Sequence, residues 1–406
     1  MKPLRVVPTF LAFTCIAQIA RAQDTVSVPI ETGYVEYHES PISLPLGVGL
    51  RVPSYDRVNG LTLPWGPKLE MGDGRVDVDA LVRYRSNLGN WDPALEGTLR
   101  PGDQSEIIFQ MGQGTFTNDE WIRSDLTNSI VAFFAGTDAR NYFRGTRGWA
   151  RFTQTLMGSS TTLTPFLGVN FERDWSTGSL APEKSPWSVF GRKGDQKMRR
   201  PNPPVAKGSI SSALAGSGFE FSTGGVEGKL DLTVERSFRT KLELDCPAIA
   251  VGVVCFPPGD SFTQGTLDGR VMIPTFGAQT LTVKGHTVMT AGPGIAPQQR
   301  FVYLGGTGTL ATVNLLALGG DHLLFLEGDY MIPIERIQLP IVGSPFIALR
   351  YAAGNAGVDK VPTLIQNIGI GAGVSMLRVD FSIDPAHDRS VFSRRSAVSV
   401  GLDLSF

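Results

Sequence analysis

Charge is scarce in this sequence. Asp, Glu, Lys and Arg make up 18% of 406 residues and nearly cancel, at a net charge of −1. A near-neutral chain carries no electrostatic footprint for nucleic acid. Histidine is scarcer. His38, His286, His322 and His387 are the only four, and none stands in an H-E-x-x-H spacing. A G-x-S-x-G nucleophile elbow is also missing. Nothing calls for a metal or cofactor, and the chain is read as a non-enzyme. The remote alternative, a membrane hydrolase, would have to use His286 as a base beside an inward serine. GIGAG from Gly369 looks like a phosphate-loop fragment, but it lies inside a strand pattern where small residues ease packing.

Long apolar runs are absent too, apart from the first two dozen residues. There, Lys2 and Arg5 precede an apolar stretch over residues 6–19, and Ala20-Arg21-Ala22 forms a small-x-small site before Gln23. This pattern predicts a secretory signal over residues 1–22. The alternative is a retained anchor, but the stretch falls short of the roughly 20 residues a membrane helix needs. No later segment approaches that length. A membrane protein without such a helix must be a closed barrel, because lipid leaves no backbone group unpaired. Cysteine is limited to Cys15 and the pair Cys246 and Cys255 in DCPAIAVGVVCF. In an exported chain two cysteines closing a short loop predict a disulfide.

What the sequence has in quantity is alternation. In RVDVDALVRYR, Val76, Val78, Ala80, Val82 and Tyr84 share one face, opposite Arg75, Asp77, Asp79, Arg83 and Arg85, with Leu81 as the interruption. GKLDLTVERSFRTKLELD sets Leu230, Leu232, Val234, Phe238, Leu242 and Leu244 against Lys229, Asp231, Glu235, Arg239, Lys241, Glu243 and Asp245. LRVDFSID and DHLLFLEGDYMIP repeat the scheme. The chain ends in pattern, with Val398, Val400, Leu402, Leu404 and Phe406 on one face. Period-two alternation means strands. A soluble sandwich would also alternate. Two features favour a membrane barrel. The 228–245 pattern would reach on the order of 55 Å at about 3.3 Å per residue, and the polar faces carry both charge signs densely enough to pair across strands.

The connections alternate as well. Short turns at 72–74, 101–103, 158–159, 223–225 and 276–277 interleave with long loops at 114–141, 176–207, 246–262, 291–320 and 385–395. Outer-membrane barrels are built this way, with short turns in the periplasm. The expectation is an all-β, closed, antiparallel transmembrane barrel of 16 strands, with 12 or 14 as alternatives. The barrel would span residues 56–406 after a short periplasmic segment at 23–55, and SPISLPLGVGL would hold the sixteenth strand. The protein would be a monomer in the cell outer membrane, in contact with outer-membrane lipids. It would meet the barrel assembly machinery during biogenesis.

Two loops have character of their own. NDEWIRSDLTNSIVAFFAG predicts a helix around 118–135, with Thr117 and Glu120 as a capping box, Ile122, Leu126, Ile130, Phe133 and Phe134 at helical spacing, and Gly136 as its stop. It is either a lid or a helix packed on the rim. The basic, proline-rich 183–208 segment carries Lys184, Arg192, Lys193, Lys197, Arg199, Arg200 and Lys207. It is either solvated or drawn to anionic head groups.

RFVYLGGTGTLATVNLLALGGDHLLFLEGDYMIPI, residues 300–334, resembles the bacterial surface antigen family, the barrel domain of outer-membrane assembly and translocation proteins. Tyr303, Gly305 and Gly306 match its aromatic and Gly-Gly positions in a loop folded into the lumen. The 320–333 strand, RYAAGNAG, NIGIGAGVSMLRVDFSIDP and SAVSVGLDLSF resemble the strands that follow, and YDRVNGLTLPWG resembles a first strand. The resemblance covers about the last hundred residues well. It implies the barrel and a lumen loop. It departs where the family's loop arginine should fall, at Leu310-Ala311-Thr312, and where an acidic partner should stand, at Ala352. With both gone, the charged latch is absent as a pair, so the loop is held differently or the job is different. The family's periplasmic client-handling domains are also not expected in residues 23–55, so insertase activity is not implied. A structural or assembly-related component and a small-solute pore are the two functions left.

Overall fold

The computed structural model describes residues 42–177, 187–190, 200–243, 258–292, 294–339, 343–375, 377–386 and 392–402. Nineteen strand segments belong to one antiparallel sheet. Three pairs of segments are interrupted halves of single staves. Gly60–Trp65 and Lys68–Met71 both pair with Val76–Arg85, broken at Gly66-Pro67. Phe143–Gln154 and Leu156–Met157 both pair with Thr161–Ser176. Ile42–Ser43, the Leu50 bridge and Ser54–Asp56 all lie along the outer side of the Gly60–Met71 stave. Sixteen staves result among the described residues, and the first takes Ile42–Ser43 and Leu50 from SPISLPLGVGL and Ser54–Asp56 from the residues after it.

From Val76–Arg85 onward every stave pairs with its sequence neighbour, through Asn90–Gly102, Ser105–Phe116, Phe143–Gln154, Thr161–Ser176, Lys207–Thr223, Val226–Glu243, Thr263–Pro274, Thr280–Ala291, His322–Pro333, Pro345–Gly357, Ile365–Val374, Leu377–Ile383 and Ser396–Leu402. Such a meander leaves no strand edge unpaired except at its two ends. Among the described residues the last strand pairs on one side only, with Leu377–Ile383. Short and long connections alternate as expected, with three exceptions. The 334–344 connection is long for the short-turn side, and 57–59, between the first two staves, and 86–89 are short for the other.

The apolar parity is turned outward and exposed: Leu167, Phe171, Leu232, Phe238, Leu349 and Ile370 all show large exposed areas. The polar parity points inward and pairs across staves, as in Arg83 with Glu96 and Lys68 with Asp77. A sheet that hides its charges and shows its aliphatics is built for lipid. No helix among the described residues is long and apolar enough to cross a membrane, which says nothing of strands.

One alternation breaks. A bulge places Ser211 opposite Arg239 but Ser212 opposite Ser237, leaving Phe238 as the extra residue. A bulge shifts every later side chain to the other face. Leu242, expected outside with Leu230 and Phe238, therefore turns inward and packs with Ile210, Phe262 and Ala296. Lys241 and Glu243 turn outward, and Arg236 lies on the outer face below them.

The loop helix, α1, spans Asp125–Ala135 and starts later than its pattern suggested. Ser124 is its N-cap, accepting from the Thr127 N–H, whereas Thr117 accepts from Asp119 two residues on. The earlier residues are drawn away because Asp119 serves other backbone groups, described below. Gly136 closes the helix at φ 65°, as expected. The helix packs on the rim. Phe133 meets Tyr55 and Trp187, each at 5.4 Å between ring centres, and Ser129 accepts from the Tyr55 N–H at 2.7 Å.

Candidate functional site

The interior is organised around residues 294–320. Val302–Leu304 and Leu318–Gly320 form a two-stranded hairpin apart from the main sheet. Its register puts Tyr303 opposite Gly319, whose missing side chain leaves room for the tyrosine ring. Gly305 and Gly306 make the turn away from it. Gly305 has φ 125°, and a Cβ there would stand 2.3 Å from the Asn314 carbonyl oxygen. Both glycines are thus required by the loop's shape, irrespective of any partner.

One side of this loop is tied by charge. Arg300, 7% exposed, places Nη2 2.7 Å from Glu172 and 2.8 Å from Glu235, with Nε 2.7 Å from the other Glu235 oxygen. The two glutamates lie on Thr161–Ser176 and Val226–Glu243, with Lys207–Thr223 between them. Gln264 donates to the Arg300 carbonyl at 3.2 Å, and Gln299 to that of Ala206 at 3.3 Å.

The other side is tied by the backbone and by apolar packing. The Thr312 N–H donates to Asn367 at 3.1 Å, and Asn367 returns a bond to the Thr312 hydroxyl at 2.7 Å. The Asn314 N–H reaches the Phe392 carbonyl, and the Arg394 N–H reaches that of Thr312. Leu304, Leu310 and Val313 bury themselves with Leu323, Phe325, Ala352 and Ala356 of the wall. Leu310 and Ala352, the two positions where a loop arginine and a wall acid would have been expected, therefore share one hydrophobic cluster. Arg350, two residues before Ala352, pairs with Glu327 and donates to the Thr309 carbonyl at 3.1 Å. Here the wall supplies the cation and the loop the carbonyl.

Above the loop, Asp119 is 1% exposed and accepts from the N–H groups of Asn141 at 2.7 Å and Tyr303 at 3.2 Å. Burial pushes its carboxyl up to about 7, against the pull of those donors and of Arg200. Burial also raises the Tyr303 phenol, with the Asp119 charge adding to it. Asn118 donates to Gln299 and Phe301, and Arg123 to Thr307. Higher still, Asp138 gathers the Arg57 N–H, Asn128 and Tyr142. Arg200, expected to be solvated, donates to the Arg140 carbonyl at 2.9 Å and to Asn141. Burial and the neighbouring Arg57 lower it to about 10.

On the short-turn side lies a cavity of about 1140 Å³, lined by Lys229, Arg270, Lys284, Asp329 and Arg378 among others. Arg378 spans to Asp329 at 3.0 Å and to Asp380 at 2.7 Å. GIGAG lies beside this pair as a strand. Its Gly371 faces Asp380 and Arg378, where a Cβ would collide.

His286 does face inward, with Nδ1 2.5 Å from Asp268 and its ring stacked 4.2 Å from Trp121. An acid on one side and an indole on the other leave no serine for it to activate among the described contacts. No three His, Cys, Asp or Glu side chains gather as a metal site among the described residues. Cys246, Cys255, Leu404 and Phe406 lie outside the described residues, as do Lys184, Arg192, Lys193, Lys197 and Arg199. Val400 is exposed on the outer face, as its parity requires; Leu402 ends the strand.

The Tyr303-Gly305-Gly306 stretch was legible in the sequence. Arg300, Glu172 and Glu235 were not singled out. Their one visible sign was two glutamates at inward parity on staves separated by a third.

No family model matches the chain, and no curated protein matches it. Among solved structures, a BamA from Haemophilus ducreyi lacking POTRA domains 1–3 is similar at 12% identity and a TM-score of 0.49, over 99% of this chain and 80% of that one. CdiB from Escherichia coli is similar at 12% identity and 0.47, over 98% and 71%. CdiB from Acinetobacter baumannii follows at 10% and 0.44, over 86% and 58%. At these values the likenesses add nothing to what the strand pairings establish.

Proposed function

We propose that the protein is an outer-membrane β-barrel of surface-antigen type, exported by a signal in residues 1–22, with a lumen occluded by residues 294–320 and a structural or assembly-related role. The observation that carries this is the double tether of that loop. Arg300 binds glutamates on two staves, while Thr312 binds Asn367 on a stave far along the sheet and Asn314 binds Phe392 in the connection before the last stave. A loop fastened to well-separated parts of a curled sheet crosses its interior.

A solute pore is the second reading, favoured by the cavity on the short-turn side. Planar-bilayer recording separates the two. The plugged barrel passes little or no steady current when intact, and conducts once residues 296–319 are replaced by a short Gly-Ser linker. Steady current from the intact chain would overturn the occluded reading and leave the pore. An assembly role further predicts that liposomes carrying the protein speed insertion of an unfolded barrel substrate relative to empty liposomes.

A further inference from the structure

The outer wall, away from the lumen loop, carries a cationic cluster at the long-loop ends of three adjacent staves. Arg173 on Thr161–Ser176 and Lys207, which opens Lys207–Thr223, are exposed on the outward face. So are Arg236, Arg239 and Lys241 on Val226–Glu243. The register fixes their relation: Arg173 pairs across Ser209 to Lys241, and Phe171 pairs across Ser211 to Arg239. Only small side chains, Ser209, Ser211 and Ala213, lie between the two flanks. They form the floor of a groove about 10 Å wide, two strand spacings across.

Arg173, Lys207, Arg239 and Lys241 make no ion pair among the described residues. Glu243, opposite Lys207, is the carboxylate of the three staves that shares this face. Just below, Phe171 and Phe238 stand exposed on either side of the groove with ring centres 6.4 Å apart. Below them the wall is aliphatic. The Phe238 bulge creates this arrangement, because without the parity change Leu242 would face out and Lys241 in.

A cationic rim over a lipid-facing aromatic pair complements one kind of partner: an acylated, phosphorylated sugar lipid. Its phosphates would meet the rim while its chains lie on the wall. We propose that this groove binds the phosphate groups of such a lipid in the outer leaflet. The proposal rests on the membrane-barrel reading and adds a ligand on the opposite face from the lumen loop.

The test uses the full-length refolded protein and a variant with Arg173→Gln, Arg236→Gln, Arg239→Gln and Lys241→Gln. Bisphosphorylated lipid A, its dephosphorylated form and inorganic phosphate are the probes, read by native mass spectrometry. The wild type is expected to retain bisphosphorylated lipid A, and the variant to retain it at least about tenfold less, given the contribution of each cation near an anionic surface. Dephosphorylated lipid should bind the wild type no better than the variant. Equal binding by both proteins would overturn the proposal. So would displacement of the lipid by millimolar phosphate, which marks a site for free anions. The heat-dependent gel shift of both proteins is read in parallel. Its loss in the wild type would sink the barrel reading itself, whereas an intact shift with equal lipid binding sinks only the groove.

Discussion

Replacing Arg300 with Met removes the cation that holds two wall carboxylates. The effect should be unequal on the two sides. Glu172 keeps Arg147, whose Nε lies 3.0 Å away, and a bond from Asn170 at 3.0 Å. Among the described residues Glu235 keeps the Ser212 hydroxyl, at 2.6 Å, as its remaining partner. Both carboxylates remain buried. Stripping one partner from a buried pair costs about 3–5 kcal/mol, because the charge left behind lacks compensation. Most of that cost should come from Glu235. If the loop is the plug, this free energy falls on its closed state, shifting the closed-to-open ratio by about two to three and a half powers of ten. Arg300→Met should therefore show open-channel events in a planar bilayer that the wild type lacks, while the heat-dependent gel shift persists. Adding Glu235→Gln should restore closure in large part, since an amide can still bond Ser212 and leaves no orphan charge. Adding Glu172→Gln should restore less, because Glu235 would stay unpaired while Arg147 would lose its nearer carboxylate and keep only Asp174 at 3.6 Å. Unchanged current in Arg300→Met, or equal rescue by the two glutamines, would refute the assignment of this ion pair as the tether.

Three further outcomes follow, two from the same interior and one from the sequence. Leu310→Ala should destabilise the loop by about 2–5 kcal/mol, since its side chain is fully buried against the wall, and should raise protease cutting within 294–320. Asp119, ordinarily near 3.8 and here about 7, is held more easily when protonated. Its contribution to stability is thus greatest in acid, falls as pH rises from about 4 to about 7, and is flat above that, over a span on the order of a few kcal/mol. The protection of the Tyr303 amide, how much slower it exchanges than an unfolded amide at the same pH, should fall across that window in the wild type, and Asp119→Asn should make that protection independent of pH. The Cys246–Cys255 disulfide, proposed from an exported context, should appear as a two-dalton difference in the intact mass before and after reduction.

Period-two alternation was enough to read the staves, their inward and outward faces, and the side on which long loops gather, because a pleated strand has only two faces to choose between. It failed first at Phe238, where one inserted residue reversed the parity of Leu242, and a bulge leaves no mark in a pattern of single residues. It failed again at Thr117, which had the spacing of a capping box. Whether a threonine caps a helix depends on what else its neighbours must bond, and Asp119 was claimed by Asn141 and by Tyr303, nearly two hundred residues on. The site was half legible for a related reason. Gly305 and Gly306 could be recognised because their local backbone demands glycine. The Arg300 tether could not, since a partner is chosen by which staves lie opposite one another, and that is a property of the curled sheet.

The same distinction explains how the loop can be held without its expected charges. A latch formed by an arginine on the loop and an acid on the wall would have to occupy Leu310 and Ala352. Both are instead apolar and lie in one buried cluster, so neither strands a charge. The electrostatic part lies elsewhere along the loop. Arg300 reaches the wall at the loop's start, and Arg350 reaches the loop from the wall beside Leu310. A charge at only one of these positions would be costly; apolar residues at both are tolerated because they pack in the same cluster. Reinstating the pair gives a strict check. Leu310→Arg alone should open the loop, and Leu310→Arg with Ala352→Asp should close it again only if the two positions still face each other across the cluster. Failure of the double variant to recover closure would mean that the two positions do not face each other closely enough to pair.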